Sequence, residues 1–209
     1  MKTINAETAE HANQIFSERS ASSASIVVKH IQISRAILAT PLGDMLALDA
    51  GDGLCALEFT GPKVRLPRLE ARLRRYFPPH DIVDRDTPAI QRTRAWLDAY
   101  FAGASADISD LRLDMRGAAF EQRVWSALRA IPPGKTTSYG AIAKALGSAG
   151  ASRAVGMANG ANPIAIIVPC HRVIGASGSL TGYGGGLERK TWLIDHERRW
   201  RHEPQASLF

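Results

Sequence analysis

Pro169-Cys170-His171-Arg172-Val173 sets a thiol, an imidazole and a guanidinium on consecutive residues. A free thiol has a pKa of roughly 8.5, so only a few per cent is thiolate near pH 7. A neighbouring base or cation raises that fraction and turns a cysteine into a nucleophile. The apolar run Ile164-Ala165-Ile166-Ile167-Val168 precedes it and reads as a buried strand that delivers the cysteine at its end. The plainer alternative is a buried structural cysteine. A third group bears on the choice. Glu197 falls near the end of the last helical pattern, where a carboxylate gains nothing from the helix dipole. Its placement calls for a side-chain partner, and a histidine fits.

Two further stretches surround this set. Asn162-Pro163 breaks a helical pattern just before the apolar run, and an Asn side chain has the donors and acceptor to tie a turn together. Gly182-Tyr183-Gly184-Gly185-Gly186 is a loop with almost no side chains, so it can approach a ligand closely. As a phosphate signal it is weak, because no Lys-Ser/Thr follows at the P-loop spacing.

The elements that must position these groups are legible in outline. Ile31–Leu38, Met45–Leu48 and Leu54–Phe59 read as strands of an antiparallel meander, with turns at Pro41–Asp44 and Ala50–Gly53. Arg65–Phe77 and Pro88–Phe101 show helical spacing, and Ile108–Met115 reads as a linker with a short strand. Arg68, Arg72, Arg74 and Arg75 read as a solvated helix face. Beyond Gly117, a helix is expected over Ala118–Ile131, with Phe120, Val124, Trp125 and Leu128 buried. Ser138 caps another through Leu146, Ser152 starts a third to about Gly160, and Leu187–Arg198 forms the last. The Ser138 and Ser152 helices, joined by a turn with glycine, read equally as a helix-turn-helix or an ordinary helical hairpin.

Composition narrows the classes. With 209 residues the chain can hold one large or two small domains. The expected division is a tail over 1–30, an N-terminal α/β domain over 31–115, a C-terminal domain over 116–200 and a tail over 201–209. Two cysteines and no C-x-x-C exclude a disulfide framework and a four-cysteine zinc site. A net charge of +6 suits a polyanionic partner. No apolar run approaches the roughly 20 residues of a membrane span. The N-terminus lacks an apolar signal core and carries Glu7, Glu10 and Glu18, so a cytoplasmic protein is expected, or a nuclear one in a eukaryote.

Five segments together carry a resemblance. They are Gly134-Lys135-Thr136-Thr137-Ser138-Tyr139-Gly140, Ser152-Arg153-Ala154-Val155-Gly156, Asn162-Pro163, Ile167 to Val173 with Pro-Cys-His-Arg at its centre, and Gly182 to Leu187. Their order and spacing resemble the O6-alkylguanine-DNA alkyltransferases from about Phe120 to Glu197. Thr40-Pro41-Leu42-Gly43 adds a weaker likeness in the first half.

The resemblance implies an α+β fold: a small antiparallel sheet with helices, ribonuclease H-like, then a helical domain with a winged helix-turn-helix-like DNA-binding motif. It implies a single-turnover transfer of the alkyl group from O6-alkylguanine in double-stranded DNA, with O4-alkylthymine as a second candidate, after base flipping. Cys170 would accept the alkyl group. His171 would be its base through a bridging water, and Glu197 would orient the imidazole. Tyr139 would protonate the departing guanine at N3 and also touch DNA. Asn162 would hold the turn before the cysteine. Pro163, Val173, Tyr183 and Gly184 would line the base pocket. Arg153 would enter the stack, with Ser152, Ala154 and Gly156 against the duplex. No cofactor, no metal and a monomer are expected; Cys55 stands alone where some members hold zinc.

Other classes fit less well. A non-catalytic binder of alkylated DNA would lack the acceptor cysteine. A helix-turn-helix regulator leaves the Cys-His-Glu set without a purpose. A zinc deaminase needs Pro-Cys-x-x-Cys, and residue 173 is valine. A cysteine hydrolase needs an oxyanion-hole motif, and none is evident.

Overall fold

The computed structural model describes residues 30–60, 66–104 and 108–200. The expected tails therefore lie outside the described residues, apart from His30.

Three strands form as their patterns dictate: β1 (Ile31–Leu38), β2 (Met45–Asp49) and β3 (Leu54–Phe59). They pair antiparallel in sequence order. A fourth strand, β4 (His80–Asp84), lies parallel to β1, which makes the sheet mixed, in the order β3-β2-β1-β4. The antiparallel meander is thus corrected by one strand. His80-Asp81-Ile82-Val83-Asp84 has few apolar residues because it is a largely exposed edge, so the alternation that betrays a half-buried strand is missing.

Helix α1 (Leu66–Tyr76) covers one face of the sheet through Leu69 and Leu73, which pack with Ile33, Leu48, Cys55 and Ala56. Helix α2 (Pro88–Phe101) lies on the other face and turns Ile90, Thr93, Leu97 and Tyr100 inward. Thr87 caps it by accepting from Ile90 N, a contact worth roughly 1 kcal/mol.

The second half contains α3 (Ala119–Arg129), β5 (Thr137–Ser138), α4 (Tyr139–Ala145), α5 (Ser152–Gly160), a single 3₁₀ turn (Cys170–Arg172), β6 (Val173–Ile174) and α6 (Leu187–Arg199). Val124, Trp125 and Leu128 of α3 are buried as expected, whereas Phe120 is only partly covered. Ser138 caps α4 by accepting from Ala141 N. Helices α4 and α5 pack on each other, and α3 packs on α5. The short strands β5 and β6 pair in parallel beside them. This is the expected α+β architecture, with a helix-turn-helix in its second half.

The outer edge of β3 joins the halves. Leu54 N donates to Arg112 O and Asp114 N to Leu54 O. Further along, Leu57 N donates to Pro163 O, and Ala165 N donates to Leu57 O. The edge that would otherwise expose unpaired groups is closed by the segment that leads to the cysteine.

Candidate active site

The run Ile164–Val168 is not a strand. Only Ile164 bridges to Leu57, and the chain then turns tightly until Cys170 opens the 3₁₀ turn. Asn162 is the reason. Its Nδ2 donates to Val168 O at 2.8 Å and Ile164 O at 3.2 Å, while its Oδ1 accepts from Ile164 N at 3.0 Å. A side chain that satisfies three backbone groups removes the need for a ladder. Ile166 takes a positive φ of 67° at the apex. For a β-branched residue that costs roughly 1–2 kcal/mol. Burial of Ile164, Ile166 and Val168 holds the turn closed against that cost.

This turn delivers Cys170 to a cavity of about 390 Å³. Tyr139, Asn162, Pro163, Tyr183 and Gly184 line it with the cysteine. Gly156 of α5 lines it too; a Cβ there would sit 3.8 Å from the Tyr139 ring, so that ring lies on the helix surface. Gly185 closes the wall, where a Cβ would meet Phe59 at 2.8 Å and Tyr183 at 2.9 Å; only glycine fits. Val173 is elsewhere: it is fully buried in β6 behind the cysteine and does not line the cavity. Arg153 and Ala154 sit exposed near the start of α5, next to half-buried Ser152 and outside the cavity. Met157, 76 % exposed one turn beyond Arg153, extends this surface.

Beneath the cysteine lies a closed set of charges. His171 is fully buried, and its Nε2 is 2.8 Å from Glu197 Oε1. Arg172 donates to both oxygens of the same carboxylate, Nε to Oε2 at 2.9 Å and Nη2 to Oε1 at 2.8 Å. Its Nη1 donates to Ile131 O. Tyr100 donates its hydroxyl to Glu197 Oε1 at 2.8 Å, and Gly134 N donates to Oε2 at 2.9 Å. Burial alone would raise the Glu197 carboxyl, but the hydrogen bonds from His171 and Arg172 and the Arg172 charge outweigh it and hold it well below the usual range. The carboxylate is therefore ionised and can only accept.

That fixes the imidazole. Nε2 must carry the proton it shares with Glu197. Burial lowers the His171 pKa despite the carboxylate, so the ring is neutral and Nδ1 holds a lone pair. Nδ1 is buried without a hydrogen-bond partner among the described residues. Burial pushes the Cys170 thiol up to about 11, with Asn162 and the Lys190 charge pulling part of the way back. The resting pair is a thiol and a neutral base, not a thiolate–imidazolium pair. Tyr139 donates its hydroxyl to Thr181 O at 3.2 Å.

Several of these groups were not assigned from the sequence. Tyr100 belongs to the buried stripe of α2, where an aromatic reads simply as core. Lys190 is fully buried and donates to Val173 O and Thr181 O, both at 2.6 Å, pinning the glycine loop to β6. Its signal was present: Lys190, Leu193, Ile194 and Glu197 share one face of α6, and charges on an apolar stripe need buried partners.

Residues 33–115 match the model of the 6-O-methylguanine DNA methyltransferase ribonuclease-like domain, and residues 119–199 that of its DNA-binding domain. A methylated-DNA–protein-cysteine methyltransferase of Mycolicibacterium paratuberculosis is 63% identical over 112 residues, 54% of this chain and 66% of that protein. The one from Salmonella typhimurium is 59% identical over 98 residues, 47% and 57% of the two chains. The matched stretch thus spans about two thirds or less of these curated relatives. The crystal structure of Mycobacterium tuberculosis O6-methylguanine methyltransferase superposes with a TM-score of 0.68 at 42% identity, covering 83% of this chain and 96% of that one. A Mycobacterium tuberculosis OGT in complex with DNA gives 0.66 at 42% identity, over 81% and 94%. Both halves match in chain order, and nearly the whole of a solved relative is covered at that identity; this chain belongs to the methylated-DNA–protein-cysteine methyltransferase family.

Proposed function

We propose that the chain repairs DNA by moving the alkyl group of O6-alkylguanine to Cys170 Sγ, once per molecule. The observation that carries this is a buried thiol at a base-sized cavity, backed by a neutral histidine that an ionised Glu197 orients.

The reaction is an in-line displacement. The S–C bond forms as the C–O6 bond breaks, and guanine leaves. The thiol proton passes through a bridging water to His171 Nδ1, whose Nε2–H is fixed on Glu197. Arg172 and Tyr100 keep that carboxylate ionised and in place while the imidazolium forms. Tyr139 turns from Thr181 O and protonates guanine N3, so the leaving group departs neutral; general acids of this kind are worth roughly 10²–10⁴ in rate. A thioether is stable to hydrolysis, so the cysteine is consumed.

The alkylated nucleotide reaches the cavity by leaving the duplex. The exposed start of α5 supports this: Arg153 there can fill the gap and hydrogen-bond the base left behind. With alkylated duplex in excess, product should plateau at one equivalent per protein molecule. Continued turnover would refute the reading.

A further inference from the structure

We propose that the arginine face of α1 is a second DNA-contacting surface, one that holds backbone phosphates beside the nucleotide presented to Cys170. This rests on duplex DNA being the substrate. Helix α1 carries Arg68, Arg72 and Arg75 one helical turn apart, with Tyr76 beside them. All four line the cavity that holds Cys170 and Tyr139; Arg68 and Arg75 are exposed, as a solvated basic face requires, and Arg72 is half-buried between them. It looks across the cavity at the end of α5: a Cβ on Gly160 would lie 4.0 Å from Arg68 Nη1.

Arg72 anchors the group. Its guanidinium lies over Tyr76 at 5.1 Å and Trp125 at 5.5 Å, and its Nε and Nη2 are buried without a hydrogen-bond partner. Among the described residues the ion pair of α1 is Arg74–Glu70, and Arg68, Arg72 and Arg75 make none. Two carboxylates share the cavity lining, Glu58 and Glu121; Glu121 is engaged in accepting from Ala118 N. A cation at the C-terminus of α5 gains from the helix dipole, which accounts for Arg68 alone. It accounts for neither the charge of Arg75, whose guanidinium lies 5.2 Å over the Tyr76 ring, nor the unpaired N–H groups of Arg72.

Phosphates fit the exposed Arg68 and Arg75, with the Arg72 charge half-buried between them, and the spacing suits them. Arg153 and Gly160 stand about 10 Å apart along α5, at 1.5 Å per residue, or about three base-pair steps at 3.4 Å. A strand followed from Arg153 along α5 meets the α1 arginines within that distance.

The test is the salt dependence of binding to unmodified duplex. Each phosphate contact contributes about 0.9 to the slope of log affinity against log salt. The double variant Arg68→Gln/Arg75→Gln should bind more weakly, with a slope shallower by about two. Arg75→Gln alone, at an exposed position, should lose about one; it serves if the double variant folds poorly. Arg92→Gln/Arg94→Gln removes the same charge from α2, on the other face of the sheet, and should change the slope by less than one. An unchanged slope in the α1 variants, or an equal change in the α2 control, overturns the proposal. Alkyl transfer by the wild-type protein is measured independently, so failure here leaves the transfer reading standing.

Discussion

At the scale of single residues, one carboxylate organises the site. Glu197 accepts from His171, Arg172, Tyr100 and Gly134, four groups from three parts of the chain. Its pairing with a histidine was legible because a carboxylate at the wrong end of a helix needs a partner. Tyr100 and Gly134 were not, since nothing local marks a residue whose partner lies 97 or 63 positions away. The pKa shifts give a signed prediction. His171 lies below its ordinary 6.5 in the fold, so the unfolded chain binds its proton first as pH falls, and stability drops below about that pH. Glu197 lies below its ordinary 4.5, so its contribution is complete above that value and is lost as pH falls further. Urea melts between pH 7 and 5 should show falling stability, and His171→Gln should flatten that part of the profile. An equal pH slope in both proteins would show that His171 is not held neutral.

At the scale of elements, the helices were the most legible. Pro88–Phe101 and Ser152–Gly160 fall where helical spacing and the breakers Gly103 and Asn162-Pro163 place them. Two elements were misread for opposite reasons. Exposed β4 lacks an apolar alternation, and the apolar run before Cys170 has the composition of a strand without its hydrogen bonds. Periodicity reports burial, and Ile164–Val168 is buried; only Asn162 decides that it turns. Asn162→Ala leaves Ile164 N, Ile164 O and Val168 O without that side chain. Buried groups left unsatisfied cost about 1–3 kcal/mol each and do not add fully. We expect a loss of about 2–4 kcal/mol in chemical denaturation. Transfer should also slow at least ten-fold, because the same turn sets the position of Sγ. A change below about 0.5 kcal/mol, the range of an ordinary surface substitution, would contradict this account of the turn.

At the scale of the whole molecule, the sheet and the helix-turn-helix share one core and one site. Arg189 on α6 donates to Leu42 O and to Gly185 O, and its guanidinium lies 4.5 Å from the centre of the Phe59 ring. The N-terminal half thus braces the glycine loop, closes the turn through the β3 edge and supplies Tyr100 to Glu197. The sequence showed the chemistry of the second half through its compact motifs; it hid the support from the first half, which is spread over single residues. The central claim is that Cys170, and not the more deeply buried Cys55, whose thiol burial pushes up to about 12, receives the alkyl group. Peptide mass spectrometry after reaction with O6-methylguanine duplex tests it most directly. The peptide containing Cys170 should gain the mass of one methylene in step with loss of the lesion, and Cys170→Ala should bind DNA without reacting. A modified Cys55, or lesion loss with both cysteines unmodified, would contradict it.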